Sequence, residues 1–471
     1  MMDNMRKFIA HPSVFEVNKP SKITVTPLRF KYTFKEDIEY DVYIMPMAYS
    51  RPLDPKTPDM TIKSLDGKLV FEYTFEHECE YEIRFCEKGS AKLEYTSVYA
   101  VESDLYNLRP LKGDLHIHTN RSDGEDDPAE VVANYRREGY DFAVITDHNR
   151  YFPSQEAIDS FADTKIDLNI INGEEVHTPV TNLHIVHAGG KKSVDEFYVK
   201  NRAEYELEVA EIRKELPDGE YSDRMARALW ATRRIHEAEG LAILPHPFWI
   251  QSGYGSVYNL AIPFLEMLFN EGGFDAYELV GCMRTSGNNL SVAYYNELKQ
   301  KGINIPVVSS SDSHKTLDDP KMRFGKLYTI VFAKDNTREG VLEGVKKGLS
   351  VAVEHVPETT DNKTEYRVYA DFRLTMYTRF LIENYFERTK ELCLPEGILM
   401  REYILGAEGA KEALESLHGK TTKFYNSFFG KDSDSYYNTE NSQKTHKKYC
   451  DVWKDYTVTT RGSSIDINTV K

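Results

Sequence analysis

The sequence predicts a multi-domain protein with an α/β domain at its centre. Three observations indicate this. Residues 1–108 contain short stretches that alternate apolar and polar residues, residues 109–356 alternate short apolar stretches with helical segments, and residues 357–471 begin with helical apolar spacing. We therefore expect a small β-sandwich-like domain, then a parallel α/β fold or barrel, then a helical C-terminal extension with a polar tail.

Composition and charge narrow the class of protein. Of the 471 residues, 41% are hydrophobic and 28% are charged, as in ordinary globular proteins. The formal net charge of −16 argues against binding extended nucleic acid, although a local cationic pocket could still bind a small phosphorylated substrate. The five cysteines are scattered, and no apolar run has the length of a signal peptide or a membrane span. We expect a cytoplasmic protein that makes no membrane contact.

The first domain is predicted from aromatic and β-branched residues in alternating patterns. Proline, aspartate and glycine clusters between residues 50 and 67 separate these patterns. Its simplest role is that of a lid or of a contact in a homo-oligomer. The predicted strands lie at 22–26, 30–34, 40–45, 69–75 and 81–85.

The most distinctive stretch of the central domain is Asp114-Leu-His-Ile-His118, which Asp123 follows on a Ser-Asp-Gly turn. Residues i and i+2 of a strand point to the same face, so His116 and His118 aim at one point, to which Asp123 could return. Neutral imidazole and carboxylate are good ligands for zinc, manganese or iron. The alternative is an ordinary strand with two hydrogen-bonded histidines.

Similar residues recur at the ends of further predicted strands. The carboxyl ends of strands in an α/β barrel converge on one face, so a repeated series of ligand-type residues predicts a single metal site. The strand at 276–280 ends in a glycine and a loop, and we do not count it. The residues at the other strand ends are Asp147, His148, Glu174, Glu175, His184, His187, His246, Asp312 and His314.

Helices are predicted between and after these strands. Asp127, Pro128 and Gly139 have the residue types of an N-cap, a first helical position and a helix stop. Beyond residue 357, helical spacing covers 371–386 and continues from 396 to 417, while the last fifty residues are polar and predict a loosely packed tail or arm.

Together these stretches resemble the PHP family, named for its polymerase and histidinol-phosphatase members. The resemblance runs from Asp114 to about Glu354, roughly half the chain. It implies a distorted (β/α)7 TIM-like barrel, two or three divalent metal ions (Mn, Fe or Zn) and cleavage of phosphoesters. The matching motifs are His116-x-His118, Thr119-x-x-Ser122-Asp123-Gly124, Ile145-Thr-Asp147-His148-Asn149, Gly173-x-Glu175, His184-Ile-Val, Pro245-His246-Pro247 and Ser311-Asp312-x-His314.

The resemblance also implies which residues hold which metal. Glu174 could replace Glu175, and His187 or His177 could replace His184, although the motif contexts favour Glu175 and His184. Asp114 and Asp147 are expected to accept hydrogen bonds from imidazoles and orient them. The implied sets are His116, His118, Glu175 and Asp312 for one metal; Glu175, His184 and His246 for a second; and Asp123, His148 and His314 for a third.

The resemblance implies a metal-dependent phosphoric ester hydrolase, and the chemistry of such a cluster provides a mechanism. Two metals that share a water lower its pKa from about 15.7 towards about 7, and the resulting metal-bound hydroxide can attack phosphorus. Arg150, Arg284 and Lys315 are the candidate phosphate-binding cations, and Arg323 is a weaker one. Two alternatives stay open: a hydrolase of a lactone or amide bond, and a non-catalytic binding protein that metals stabilise.

The loop after His246 carries three aromatic residues. These side chains either wall the substrate pocket or pack the loop against its own domain. They are Phe248, Trp249 and Tyr254.

Overall fold

The computed structural model describes most of the chain. By contact, residues 107–421 form one compact unit, and residues 3–106 with 422–471 form a second. Tyr254 and Arg323 lie outside the described residues. The described residues are 7–28, 32–49, 57–179, 181–250, 257–281, 283–317, 324–356, 365–432, 435–437, 444, 456–461 and 464–469.

The N-terminal part of the second unit is rich in β-sheet, as predicted. One sheet has the order β1-β3-β6 and the other the order β2-β8-β7-β4-β5, and their inward-facing apolar residues share one core. A short helix, α1 (Ser103–Tyr106), ends this part. The strands are β1 (Phe8–His11), β2 (Val14–Glu16), β3 (Pro20–Pro27), β4 (Glu39–Pro46), β5 (Met60–Lys63), β6 (Leu69–Thr74), β7 (Cys79–Glu87) and β8 (Glu94–Val101).

The predicted strand at 30–34 does not form in its described part, residues 32–34. Of its two described aromatic residues, Phe34 is buried without joining a sheet, and Tyr32 is half-buried. Phe34 is 5% exposed, and its ring lies 5.2 Å from that of Phe8. Core packing of the aromatic ring therefore replaces strand pairing here.

The first unit alternates strands and helices up to residue 369. Strands such as β10 and β14 are buried along their whole length, which explains their uninterrupted apolar sequences. The strands are β9 (Arg109–Ile117), β10 (Phe142–Ile145), β11 (Asn169–Ile171), β12 (Gly173–His177), β13 (His184–Ala188), β14 (Leu241–Leu244), β15 (Ala276–Val280), β16 (Val307–Ser309), β17 (Leu327–Ala333), β18 (Ser350–Val356) and β19 (Glu365–Tyr369).

Helices connect these strands and continue after them. A π-helical segment, Ile382–Phe386, joins α10 to α11. The helices are α2 (Pro128–Arg137), α3 (Phe152–Asp159), α4 (Asp195–Lys200), α5 (Arg202–Glu215), α6 (Ser222–Glu237), α7 (Ile262–Glu271), α8 (Thr285–Gln300), α9 (Arg338–Lys346), α10 (Phe372–Leu381), α11 (Glu387–Ile404), α12 (Ala410–Leu417) and α13 (Lys420–Phe428).

A TIM-like barrel is not confirmed, because the strands of the first unit fall into two sheets. One has the order β11-β10-β9-β17-β18-β19, and the other has the order β12-β13-β14-β15-β16. Isolated β-bridges join His148 to Glu175 and Ile117 to Ser313. The candidate ligands therefore cluster where strand ends of the two sheets meet.

The polar tail differs in part from the predicted loose arm. Most of α13 and the hairpin of β20 (Tyr456–Arg461) and β21 (Ser464–Thr469) belong to the second unit. Phe424 and Phe429 are at most 1% exposed, and Ser13 N–H donates to the Phe428 carbonyl at 2.8 Å. Among the helices that the structure describes, none combines the length and apolar content needed to cross a bilayer.

Candidate metal centre

The backbone at the strand ends positions the ligand-type side chains. Glu175 and His184 lie on the antiparallel pair β12 and β13, and His116 lies on β9. Other candidates stand in the turns just after strands, some with strained backbone. His246 and Asp312 have φ values of 27° and 47°, a region that non-glycine residues rarely occupy and that is common at functional sites.

The Glu175 carboxylate is the centre of the cluster. It is fully buried, and ring nitrogens of six histidines lie within 3.6 Å of its oxygens. A single carboxylate with two oxygens can bridge two metal ions, so this position suits the predicted bridging role. The six are His116, His118, His148, His177, His184 and His246.

His116 and His118 converge with Asp312. The two Nε2 atoms lie 3.1 Å apart, and Asp312 Oδ1 lies 2.9 Å from His118 Nε2 and 3.4 Å from His116 Nε2. Two nitrogens bound to one zinc ion at about 2.0–2.1 Å each would be separated by about this distance. These three side chains fit one metal ion.

A more open group lies on the other side of His118. Asp123 Oδ2 lies 3.2 Å from His314 Nε2 and 3.6 Å from His148 Nε2. The Asp123 side chain is 55% exposed, so this part of the centre is open to solvent. His314 Nδ1 lies 2.8 Å from the Asp312 carbonyl, an arrangement in which it can donate a hydrogen bond and leave Nε2 for a metal.

Buried atoms without hydrogen bonds fit a group of metal ions. Glu175 Oε2, His148 Nδ1 and His177 Nε2 are buried and form no hydrogen bond within the described part of the chain, although His148 Nδ1 lies 2.6 Å from Glu175 Oε2. Leaving such atoms unsatisfied costs about 1–3 kcal/mol each. Bound metal would satisfy them, and the nitrogen and oxygen donors suit divalent transition metals.

The electrostatic environment keeps several donors in a ligand-ready state. Burial lowers the pKa of His118 and of His184 to about 4, so both imidazoles are neutral at pH 7. Burial opposes ionisation of Glu175 and Asp312, but contacts with the imidazoles hold the pKa of each carboxyl well below its usual range. His116 contributes to both shifts, and the same two carboxylates raise its own pKa well above the usual value despite burial. The two carboxylates are therefore charged at neutral pH.

Asp114 and Asp147 contact backbone and hydroxyl groups. Asp114 accepts hydrogen bonds from the N–H of His116 and from the hydroxyl of Tyr135 at 2.9 Å. Asp147 accepts them from the N–H of Thr119 and the hydroxyl of Ser122, at 3.0 and 2.6 Å. The two carboxylates thus hold the strand and loop that carry the ligands, and within the described part of the chain neither accepts a hydrogen bond from an imidazole.

Glu278, which sequence reasoning omitted, supplies such an imidazole contact. Its Oε2 lies 3.2 Å from His116 Nδ1, and both side chains are fully buried. Nε2 of His116 is thereby directed at the cluster. The available signal was a charged residue inside the otherwise apolar strand β15.

The alternative ligands fall into two groups. Glu174 and His187 pair with each other at 3.0 Å and take no part in the Glu175 cluster, which is consistent with the choice of Glu175 and His184. His177 does join the cluster, and it is grouped with His148, Glu175 and His184. Which residues bind which ion stays a prediction.

The candidate phosphate-binding cations have different surroundings. Arg150 donates a hydrogen bond to the Arg121 carbonyl, Lys315 lies 2.9 Å from Glu125, and Arg284 is exposed just before α8.

The aromatic residues after His246 are also distinct. Phe248 is buried in the core, so it packs the loop. Trp249 is 38% exposed, and its ring lies about 6 Å from those of His184 and His246 (6.1 and 6.0 Å), where it can wall the site.

These clusters and a family match support a metal-dependent hydrolase. The family model of the PHP domain matches residues 114–244, which confirms the resemblance to the PHP family over that stretch. A search of curated proteins finds no match.

Solved structures with some likeness to the chain are distant. One is a two-domain protein of Bacteroides vulgatus with a predicted PHP-like metal-dependent phosphoesterase; the identity is 15%, the match covers 56% of this chain and 76% of that one, and the TM-score is 0.37. Another is an amidohydrolase of Chromobacterium violaceum with bound sulfate and no metal, at 18% identity, 44% and 89% coverage and a TM-score of 0.31.

Proposed function

We propose that this protein is a metal-dependent phosphoesterase that hydrolyses a small phosphorylated substrate at a site for two or three divalent ions. The supporting observation is the set of overlapping ligand groups around Glu175. Bound Mn, Fe or Zn ions would act as Lewis acids and lower the pKa of water towards about 7. The chain's own residues hold the ions and shape the site for the substrate.

The charge of the ligand set favours an anionic substrate. Asp123, Glu175 and Asp312 contribute three negative charges, and the imidazoles are neutral when they bind metal. Two divalent ions would bring the net charge to about +1, and three would bring it to about +3. A cationic site attracts a phosphate ester more strongly than a neutral lactone or amide.

The exposed side of the centre is where we place the phosphate. Asp123 and His314 are partly exposed there, and Lys315 adjoins His314. Lys315 or Arg150 would exchange its present protein partner for a phosphate oxygen, and Arg284 would contribute from the start of α8.

The experiment combines metal analysis with a substrate panel. Purified protein is assayed for Mn, Fe and Zn by mass spectrometry and for phosphate release from small phosphoesters, with and without added Mn. We expect two or three ions per chain and a loss of at least about 100-fold in kcat/KM in His118→Ala and Asp312→Ala. His236→Ala is the matched control, because His236 is exposed and pairs with Asp275 at 2.9 Å.

The outcomes separate the competing functions. Competitive inhibition by inorganic phosphate supports the phosphoesterase. Hydrolysis of a lactone or amide that phosphate does not inhibit would replace it with another hydrolase. A fully metallated protein that cleaves none of these bonds would indicate a binding protein.

A further inference from the structure

His177 is held beside the ligand His184 by the strand pairing. The two residues are direct partners in the β12–β13 pair, and their rings stack with centroids 3.7 Å apart at 22°. The His177 N–H donates to Asn149 Oδ1 at 3.1 Å, and the Tyr198 hydroxyl donates to the His177 carbonyl at 3.2 Å. Hydrogen bonds therefore hold both the N–H and the carbonyl of His177. Directly paired residues of neighbouring strands point to the same face of a sheet, so the His177 ring lies on the face that carries His184.

The His177 ring has a nitrogen that needs a partner. Its Nε2 lies 3.6 Å from Glu175 Oε2, beyond hydrogen-bond distance, and it is buried without a hydrogen bond to any residue that the structure describes. The rest of the side chain is 27% exposed, so His177 lies at the rim of the centre. A metal ion between His177, His184 and Glu175 would satisfy this nitrogen.

We propose that His177 is an additional metal ligand, bound together with His184 and not in place of it. The position it completes also includes His148 and Glu175, so it offers three imidazole nitrogens and one carboxylate oxygen. Such a donor set prefers zinc, cobalt or iron(II) to magnesium or calcium. The inference rests on the metal-binding part of the proposed function and not on the phosphoester part.

The geometry of His148 gives His177 a specific role. His148 Nδ1 faces Glu175, whereas its Nε2 faces Asp123. One imidazole thus serves two neighbouring metal positions. When His148 binds the ion next to Asp123, the metal position beside Glu175 therefore still has two imidazole ligands, His177 and His184.

The test compares metal binding by two variants of the full chain. Metal-free wild type, His177→Gln and His236→Gln are titrated with Zn²⁺, Co²⁺ and Mg²⁺ against a competing chelator. We expect His177→Gln to bind one Zn²⁺ or Co²⁺ about 10- to 100-fold more weakly and to change the visible absorption of bound Co²⁺. Mg²⁺ binding should change little, His236→Gln should match the wild type, and His177→Asp should restore part of the affinity.

A second measurement needs no variant. In the wild-type protein, the C2 hydrogen of the His177 imidazole should exchange with deuterium more slowly after Zn²⁺ is added than in the metal-free form, as read by mass spectrometry of peptides. Exchange that Zn²⁺ leaves unchanged, or wild-type affinity in a folded His177→Gln variant, would overturn the inference. A changed pH profile of activity with unaltered metal binding would also overturn it and assign His177 to proton transfer. Metal binding that depends on His177 without any phosphate release would instead reject only the phosphoesterase.

Discussion

At the scale of single residues, Glu278 shows how a side chain outside the ligand set can control it. Its carboxylate fixes the orientation of His116 in a fully buried pair. Glu278→Gln keeps the shape but weakens this contact, so we expect metal affinity or activity to fall about 10- to 100-fold. Competition titration with a chelator measures the loss. Glu297→Gln, an exposed change on α8, is the control, and an equal loss there would contradict the prediction.

The protonation of His148 predicts how metal binding depends on pH. Burial lowers the pKa of His148, but interactions with Asp123 and Glu175 outweigh burial and raise it to about 10. Because the pKa is higher in the folded than in the unfolded chain, protonation of His148 stabilises the folded metal-free protein. This contribution to the free energy of unfolding is complete below about pH 6.5 and is lost as the pH rises through about 10. Metal must displace that proton, so affinity should rise by up to about tenfold per pH unit for each proton released.

Thermal unfolding checks this dependence. The increase in Tm on adding saturating Zn²⁺ should be larger at pH 8.5 than at pH 6, and titration calorimetry in buffers of different ionisation enthalpy should report proton release. An increase in Tm that is equal at the two pH values, with no proton release, would show that His148 is already neutral in the metal-free protein.

The sequence predicted which residues meet but not every contact between them. Strand-end positions and motif order were sufficient to predict that His116, Glu175 and Asp312 lie together, because the alternation of side chains along a strand fixes the face on which each one lies. They could not identify Glu278 as the partner of His116, 162 residues away, because a pairing at that separation depends on the order of strands in the sheet. For the same reason, Asp147 was not expected to bind the loop at Ser122.

At the scale of elements, the contact between α2 and α11 is connected to the strand that carries the ligand His116. Arg136 on α2 and Glu396 on α11 form a buried pair at 2.6 Å, and the neighbouring Tyr135 hydroxyl binds Asp114. Glu396→Ala would leave the buried Arg136 charge with only the longer contact to Asp167, at 3.8 Å, so we expect a loss of about 3 kcal/mol in the free energy of unfolding. Chemical denaturation measures it, with the exposed Glu391→Ala on the same helix as control; equal effects would contradict the buried-pair argument.

Close packing between the same two helices explains a glycine that the sequence pattern did not single out. A Cβ on Gly397 would lie 2.3 Å from the backbone nitrogen of Arg137. Gly397→Ala must therefore push α11 away from α2. We expect a lower Tm for the metal-free protein despite the better helix propensity of alanine, and a Tm equal to or above that of the wild type would show that the helices can separate at little cost.

Helix ends were easier to predict than sheet closure. Pro128 begins α2 and Asp127 stands at the N-cap position, as the residue types indicated, because a helix start depends on local sequence. The Asp127 side chain accepts a hydrogen bond from Asn120 and makes no capping hydrogen bond to the helix. The division of the strands into two sheets depends on long-range pairing that alternation does not encode. The apolar residues of α13 were also missed, because a few phenylalanines in a polar segment do not show what they will pack against.

At the scale of the whole molecule, the two compact units should respond to different perturbations. The candidate ligands lie within residues 107–421, whereas the buried Phe429 belongs to the second unit. Scanning calorimetry should show that saturating metal raises the Tm of one transition. The free energy of unfolding of that unit should increase by about 2.7 kcal/mol per ion at a hundredfold excess over Kd. Phe429→Ala should reduce the free energy of unfolding of the second unit by about 3–5 kcal/mol without changing metal content, because it opens a cavity at a buried position of that unit. Tyr95→Ala, an exposed aromatic change in the same unit, is the control, and a single transition that shifts with both metal and Phe429→Ala would show that the units unfold together.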